Sequence, residues 1–123
     1  MLMKNIDIIC TQNEQKIHKY CLLGLKYRLY RPEGLLKDYF ATKNHNRIKY
    51  LVIILHLQKP IGIGVYLKNI YHYNLMVYVK KPYRHKGIGT RLIQKLKLKS
   101  KQKKFNVWRD SPSINKFWDH VKV

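Results

Sequence analysis

Residues 78–93 read Tyr78-Val79-Lys80-Lys81-Pro82-Tyr83-Arg84-His85-Lys86-Gly87-Ile88-Gly89-Thr90-Arg91-Leu92-Ile93. An apolar, strand-like run stops at Pro82, a basic loop follows, and Gly-x-Gly opens a helical pattern. Ile88, Leu92, Ile93 and Leu96 fall at helical spacing. The reading is strand, loop, helix, with the glycines at the helix start. The first turn of a helix leaves backbone N–H groups without partners at the positive end of the helix dipole. Glycine allows a ligand to approach that backbone closely. With Arg84, His85 and Lys86 beside it, the junction suits a phosphate or pyrophosphate. A solvated basic turn capped by glycines would carry the same letters. The loop lacks the Gly-Lys-Ser/Thr of a Walker loop. It is not a dinucleotide fingerprint either, because Leu92 stands where a third glycine is needed.

Working outward, Asn5 to Cys10 reads as a first strand. Thr11-x-x-Glu14 reads as a capping box, and Ile17, Tyr20 and Cys21 form the face of a helix ending near Gly24. Arg31-Pro32-Glu33-Gly34 is a break, and Leu35, Leu36, Tyr39 and Phe40 suggest a second short helix. Ile48 to Leu57 has the Val/Ile/Leu content of a buried strand. Gln58-Lys59-Pro60 is read as the turn into a third strand, Ile61 to Leu67. Gly62 and Gly64 in that strand signal a bulge or a close backbone contact. Lys68-Asn69 turns into a fourth strand, roughly Tyr71 to Val79. Phe105 to Trp108 reads as a fifth strand. Ser111-Pro112 has the N-cap and first-position pattern of a last helix with Ile114, Phe117, Trp118 and Val121 on its apolar face.

The order of these parts resembles the GNAT superfamily of N-acetyltransferases over nearly the whole chain. Arg84-His85-Lys86-Gly87-Ile88-Gly89 resembles the family's Arg/Gln-x-x-Gly-x-Gly/Ala signature, which follows the fourth strand and holds the acetyl-CoA pyrophosphate. The resemblance implies an α/β (α+β) fold: a mixed, mostly antiparallel sheet of about five strands, the fourth and fifth parallel, flanked by about four helices. It implies a single acetyltransferase domain over residues 1–123, with acetyl-CoA as co-substrate. Met76, Val77, Tyr78 and Val79 would bond the pantetheine arm through main-chain groups. Arg84, His85, Lys86, Gly87, Ile88, Gly89 and Thr90 would hold the pyrophosphate.

Ser111-Pro112-Ser113-Ile114-Asn115-Lys116-Phe117-Trp118 resembles the family's Asn-Pro-x-Ala-x-x-x-Tyr segment, which implies a place for Ser111 at the cofactor. Trp118 stands where the family commonly has a tyrosine as general acid, and indole cannot take that role near neutral pH. The two further strands that usually follow the fourth helix have no counterpart before Val123. Candidate catalytic groups are His72, Tyr78 and Asp110, with Tyr73 and His120 behind them. The two histidines and Asp110 each also have a plain structural reading: His72 as a solvent-facing strand residue, Asp110 as a helix cap and His120 as a surface residue.

Composition bounds the rest. Hydrophobic residues make up 46% of the chain, as a folded core requires. The longest apolar stretch, Leu51 to Leu57, is too short to span a membrane. The start of the sequence has no signal-peptide pattern, and Cys10 and Cys21 read as reduced thiols. The expectations are a cytoplasmic protein, no metal, no membrane, and an oligomeric state left open, a homodimer included.

Lysine and arginine total 26 against six acids, for a net charge of +20. Such a charge bears on partners rather than fold. It favours nucleic acid or a ribonucleoprotein and disfavours polycationic acceptors. Arg91, Lys95 and Lys99 recur every fourth residue as a candidate phosphate-backbone track. An AT-rich genome, rich in Lys, Ile, Tyr and Asn codons, would produce the same bias. Two functions follow. One is acetyl transfer to an amine of unknown acceptor. The other is a non-catalytic protein of the same fold, suited to a phage or other mobile element, that contacts nucleic acid or a partner protein.

Overall fold

Leu51, Val52, Ile53 and Ile54 are all fully buried, so both faces of one strand are covered. In the computed structural model, which describes residues 5–29, 48–67 and 75–100, that strand is β2, Ile48–His56. It lies inside a four-stranded antiparallel sheet of order β1-β2-β3-β4, with β1 at Ile6–Thr11, β3 at Lys59–Leu67 and β4 at Leu75–Val79. Helix α1, Glu14–Lys26, covers one face and helix α2, Ile88–Ser100, the other.

The two-residue period of a strand divides the core. Leu51 and Ile53 join Ile17, Cys21, Leu29, Ile63 and Val65 on the α1 side. Val52 and Ile54 join Ile61, Leu75, Ile88, Leu92, Ile93 and Leu96 on the α2 side. Each of these large side chains contributes about 1.5–3 kcal/mol by leaving water. The continuous apolar run of β2 is therefore a consequence of cover on both faces.

The architecture is the expected mixed α+β fold with an antiparallel sheet. Among the described residues there are four strands and two α-helices. The expected helix at Leu35–Phe40, the parallel fifth strand at Phe105–Trp108 and the last helix from Ser111 lie outside the described residues.

Two local readings are corrected. Asn13, not Thr11, caps α1: its side-chain oxygen accepts from Lys16 N–H at 3.0 Å, while Thr11 ends β1 and accepts from Asn13 N–H at 3.1 Å. An asparagine one residue before the first helical turn is as good a cap as threonine. Helix α1 runs to Lys26, in keeping with an end near Gly24. The β2–β3 turn is Leu57-Gln58, with φ of 52° and 66°, and β3 already begins at Lys59. Two positive φ values make the turn whose twist matches a two-residue hairpin, reached here without glycine.

The glycines of β3 do what their positions suggested. The pairing slips between Ile54↔Gly62 and Leu55↔Pro60, which leaves Ile61 as a bulge. Gly62 and Gly64 face α2, and a Cβ on either would stand 3.0 Å or 2.8 Å from Ile88 or Leu96. The bare backbone lets α2 lie close on the sheet. From β3 to β4 the register is regular, Gly62↔Val79 through Tyr66↔Leu75.

Candidate active site

The C-terminal end of β4, the N-terminal end of β3 and the end of β2 meet at one edge of the sheet, because the three strands are antiparallel neighbours. The chain leaves β4 through Lys80, whose N–H bonds the carbonyl of the bulged Ile61 at 2.8 Å. Pro82 then sets a short 3-10 turn, Lys81–Tyr83, closed by Tyr83 N–H to Lys80 O at 2.8 Å. Arg84 is extended, and His85 and Gly87 take positive φ values of 63° and 80°. Helix α2 follows directly.

Its first amide with a carbonyl partner among the described residues is that of Arg91, bonded to Gly87 O at 3.1 Å. The N–H groups of Ile88, Gly89 and Thr90 are the open first turn of the helix. A Cβ on Gly87 would meet nothing within 4 Å. The glycine therefore answers to backbone conformation and leaves open space above the helix end. Arg84, His85, Lys86 and Gly87 are exposed, and Thr90 is half-buried. Ile88 and Gly89 are buried, so Gly87 and the helix axis, not Gly89's surface, form the accessible part of the cradle.

Two side chains of the loop are already engaged. Arg84 turns back on β4: its Nε–H donates to Val79 O at 2.8 Å, and the guanidinium lies 5.3 Å from the centre of the Tyr78 ring. Tyr83 is held between two groups. Its hydroxyl is 3.0 Å from His56 Nδ1, the rings meet edge to face at 5.5 Å, and the Lys86 ammonium lies 5.8 Å from the ring centre. The sequence reading passed over His56 and Tyr83. They are 27 positions apart, and only the antiparallel register brings the end of β2 to this loop.

Met76, Val77, Tyr78 and Val79 are half-buried on β4, which is the last strand of the described sheet. Met76 and Tyr78 pack toward the α1 side, Val77 and Val79 toward the α2 side. One edge of their main chain pairs with β3, and the other pairs with no described strand. The structure thus brings residues 76–79 and 84–90 to one end of the molecule. His72, Tyr73, Asp110, Ser111, Trp118 and His120 lie outside the described residues. Among the described residues no three His, Cys, Asp or Glu side chains gather as a metal site, and no helix is long and apolar enough to cross a membrane.

The family model for the acetyltransferase (GNAT) domain matches residues 46–119, more than half of the chain and the whole of the site just described. The chain belongs to the GNAT acetyltransferase family. Solved structures agree on the fold of this GNAT protein. An integron cassette protein from the mobile metagenome of V. cholerae superposes with a TM-score of 0.62 at 18% identity, over 98% of this chain and 86% of that one. An aminoglycoside acetyltransferase from an uncultured soil metagenomic sample, in complex with sisomicin, gives 0.58 at 18% identity over 97% and 88%. A ribosomal-protein-alanine N-acetyltransferase from Brucella melitensis biovar Abortus gives 0.57 at 16% identity over 94% and 89%. No curated protein matches the chain. A GNAT domain implies acyl transfer from an acyl-CoA co-substrate.

The residues present fit such a co-substrate. The cradle has an open helix end, a glycine at φ 80° under empty space, and three flanking basic side chains. No acidic residue occurs anywhere between Asp38 and Asp110 to repel its phosphates.

Proposed function

We propose that the protein moves an acetyl group from acetyl-CoA to the amine of an acceptor in the cytoplasm. The observation that carries this reading is the open first turn of α2, which follows the β4 strand whose outer edge pairs with no described strand. The pyrophosphate would rest on Gly87, Ile88, Gly89 and Thr90 N–H groups, with Lys86 and the terminal nitrogens of Arg84 adding charge. The main chain of Met76 to Val79 would align the pantetheine arm. Ser111 would meet the thioester end.

In the reaction the neutral amine nitrogen bonds to the thioester carbonyl carbon, the C–S bond breaks, the amine loses a proton and the thiolate gains one. Tyr78 is a candidate for that donor, and the Arg84 cation over its ring would stabilise developing charge on the oxygen. His72 and Asp110 are the candidates for taking the proton from the amine.

The charge of +20 narrows the acceptor. A polyamine or a lysine-rich tail would be repelled. A weakly charged amine, or one presented on an RNA-containing particle, would not. The test is release of free thiol from acetyl-CoA with a panel of amines, including an aminoglycoside and a peptide with N-terminal alanine. Turnover with a Tyr78→Phe decrease supports the reading. Tight acetyl-CoA binding without turnover on any amine assigns the fold a binding role, with Trp118 as its cause.

A further inference from the structure

The acyl-transfer site accounts for the loop before α2 but not for the outer face of α2 itself. Ile88, Leu92, Ile93 and Leu96 bury one side of this helix against the sheet. On the other side Arg91, Gln94, Lys95, Leu98 and Lys99 are all exposed. Arg91, Lys95 and Lys99 follow one another at four-residue steps, a rise of about 6 Å each along one side of the helix. None of the three has an ion-pair, hydrogen-bond or aromatic partner among the described residues. Nor can an acid lie nearby in sequence, since none occurs between Asp38 and Asp110. Three like charges in a row repel one another and destabilise the isolated helix. A polyanion laid along the row relieves that repulsion.

We propose that this face of α2 binds the phosphate backbone of duplex DNA. The charge gives the polyanion, and the composition of the helix selects the duplex. Single-strand binders need aromatic side chains on which bases stack. Helix α2, Ile-Gly-Thr-Arg-Leu-Ile-Gln-Lys-Leu-Lys-Leu-Lys-Ser, contains none. Arg91, Lys95 and Lys99 would neutralise phosphates, a contribution to binding that does not depend on base sequence. B-form DNA has a major groove wide enough for an exposed helix face, whereas the major groove of duplex RNA is deep and narrow. The proposal does not depend on acyl transfer, because Arg91, Lys95 and Lys99 lie outside the cradle.

The test is a salt titration of binding to a short labelled DNA duplex by fluorescence anisotropy, using the full chain. Two triple variants carry the same change in charge. Arg91/Lys95/Lys99→Gln removes the row on α2, and Lys16/Lys19/Lys26→Gln removes three cations from α1. Thermal melting establishes that each is folded. The α2 variant should lower the magnitude of the slope of log K against log salt by about 2 to 3, as expected for three lost phosphate contacts. The α1 variant should leave the slope nearly unchanged. Equal slope losses in both variants would mean that charge acts diffusely and would overturn the proposal. So would tighter binding to single-stranded DNA or to duplex RNA than to duplex DNA.

Discussion

Gly64 lies beneath Leu96 at a spacing that leaves no room for a side chain: a Cβ on Gly64 would stand 2.8 Å from Leu96 Cδ1 and 3.5 Å from both Leu92 Cβ and Val77 Cγ2. Any side chain added at Gly64 therefore requires Leu96 to shift.

Gly64→Val should therefore overpack the α2 side and lower unfolding stability by about 1–3 kcal/mol, although valine is the better strand former. Leu96→Ala alone should cost about 2–5 kcal/mol through its cavity. The double variant should be more stable than the sum of the two predicts, because the valine occupies the space the leucine vacated. Urea denaturation of the four proteins measures the coupling. Strict additivity would mean that Leu96 simply rotates away.

The hydrogen bond between His56 and Tyr83 ties the loop to the β2–β3 hairpin. Tyr83→Phe keeps the ring contacts and removes the hydroxyl, so the half-buried His56 loses its partner. A loss of about 0.5–1.5 kcal/mol in stability is expected, with faster amide exchange confined to residues 80–87. If exchange rises evenly over the whole protein, the tie is not local to the loop.

The Leu57-Gln58 turn holds two non-glycine residues at φ 52° and 66°. The left-handed region costs such residues about 1–2 kcal/mol each. Leu57 is 60% exposed and gives up little packing when replaced. The paired change Leu57→Asn and Gln58→Gly should raise stability by at least about 1 kcal/mol, read as a higher melting temperature.

Cys21 is fully buried against the sheet, and burial pushes its thiol from 9.0 up to about 12. The folded state therefore keeps the proton that the unfolded chain releases. The stability this group contributes is complete below pH 9 and is lost as pH rises toward 12. Groups that titrate alike in both proteins cancel in a comparison with Cys21→Ala. The deficit of the variant should shrink between neutral and strongly alkaline pH. A deficit that stays constant would contradict the burial of the thiol. In the native protein the half-buried Cys10 should react with a thiol reagent well before Cys21.

The sequence disclosed the site's frame because the frame is local. Strand, proline turn, glycines and helix follow one another within residues 75–100, and their spacing alone implies an open helix end. The period of Ile88, Leu92, Ile93 and Leu96 marked the buried face of α2. The bulge or close contact read from Gly62 and Gly64 is present in both forms. What escaped the sequence is what depends on distant partners. No local rule places His56 on Tyr83, or turns Arg84 back onto the Val79 carbonyl and the Tyr78 ring. The N-cap of α1 was misread because Thr11 and Asn13 are both good caps, and pairing of Thr11 with Leu51 in the sheet decides between them.

Engagement of Arg84 also bears on affinity. Arg84→Ala removes the guanidinium from the cradle and frees the Val79 carbonyl together. Loss of one charge-assisted hydrogen bond costs about 1.5–3 kcal/mol. Calorimetry with acetyl-CoA should show a weakening of roughly ten-fold or more, with the melting temperature of the free protein lowered only slightly, because water replaces the lost bond at the exposed Val79 carbonyl contact.

In the proposed function the backbone at the start of α2 grips the pyrophosphate of CoA. Backbone amide chemical shifts during a titration of the isotope-labelled protein with CoA test it most directly. The amides of Gly87, Ile88, Gly89 and Thr90 should show the largest shifts, and adenosine, which carries no pyrophosphate, should leave them in place. If those four amides stay unmoved at millimolar CoA, or if adenosine alone shifts them equally, the cradle does not hold the pyrophosphate and the account fails.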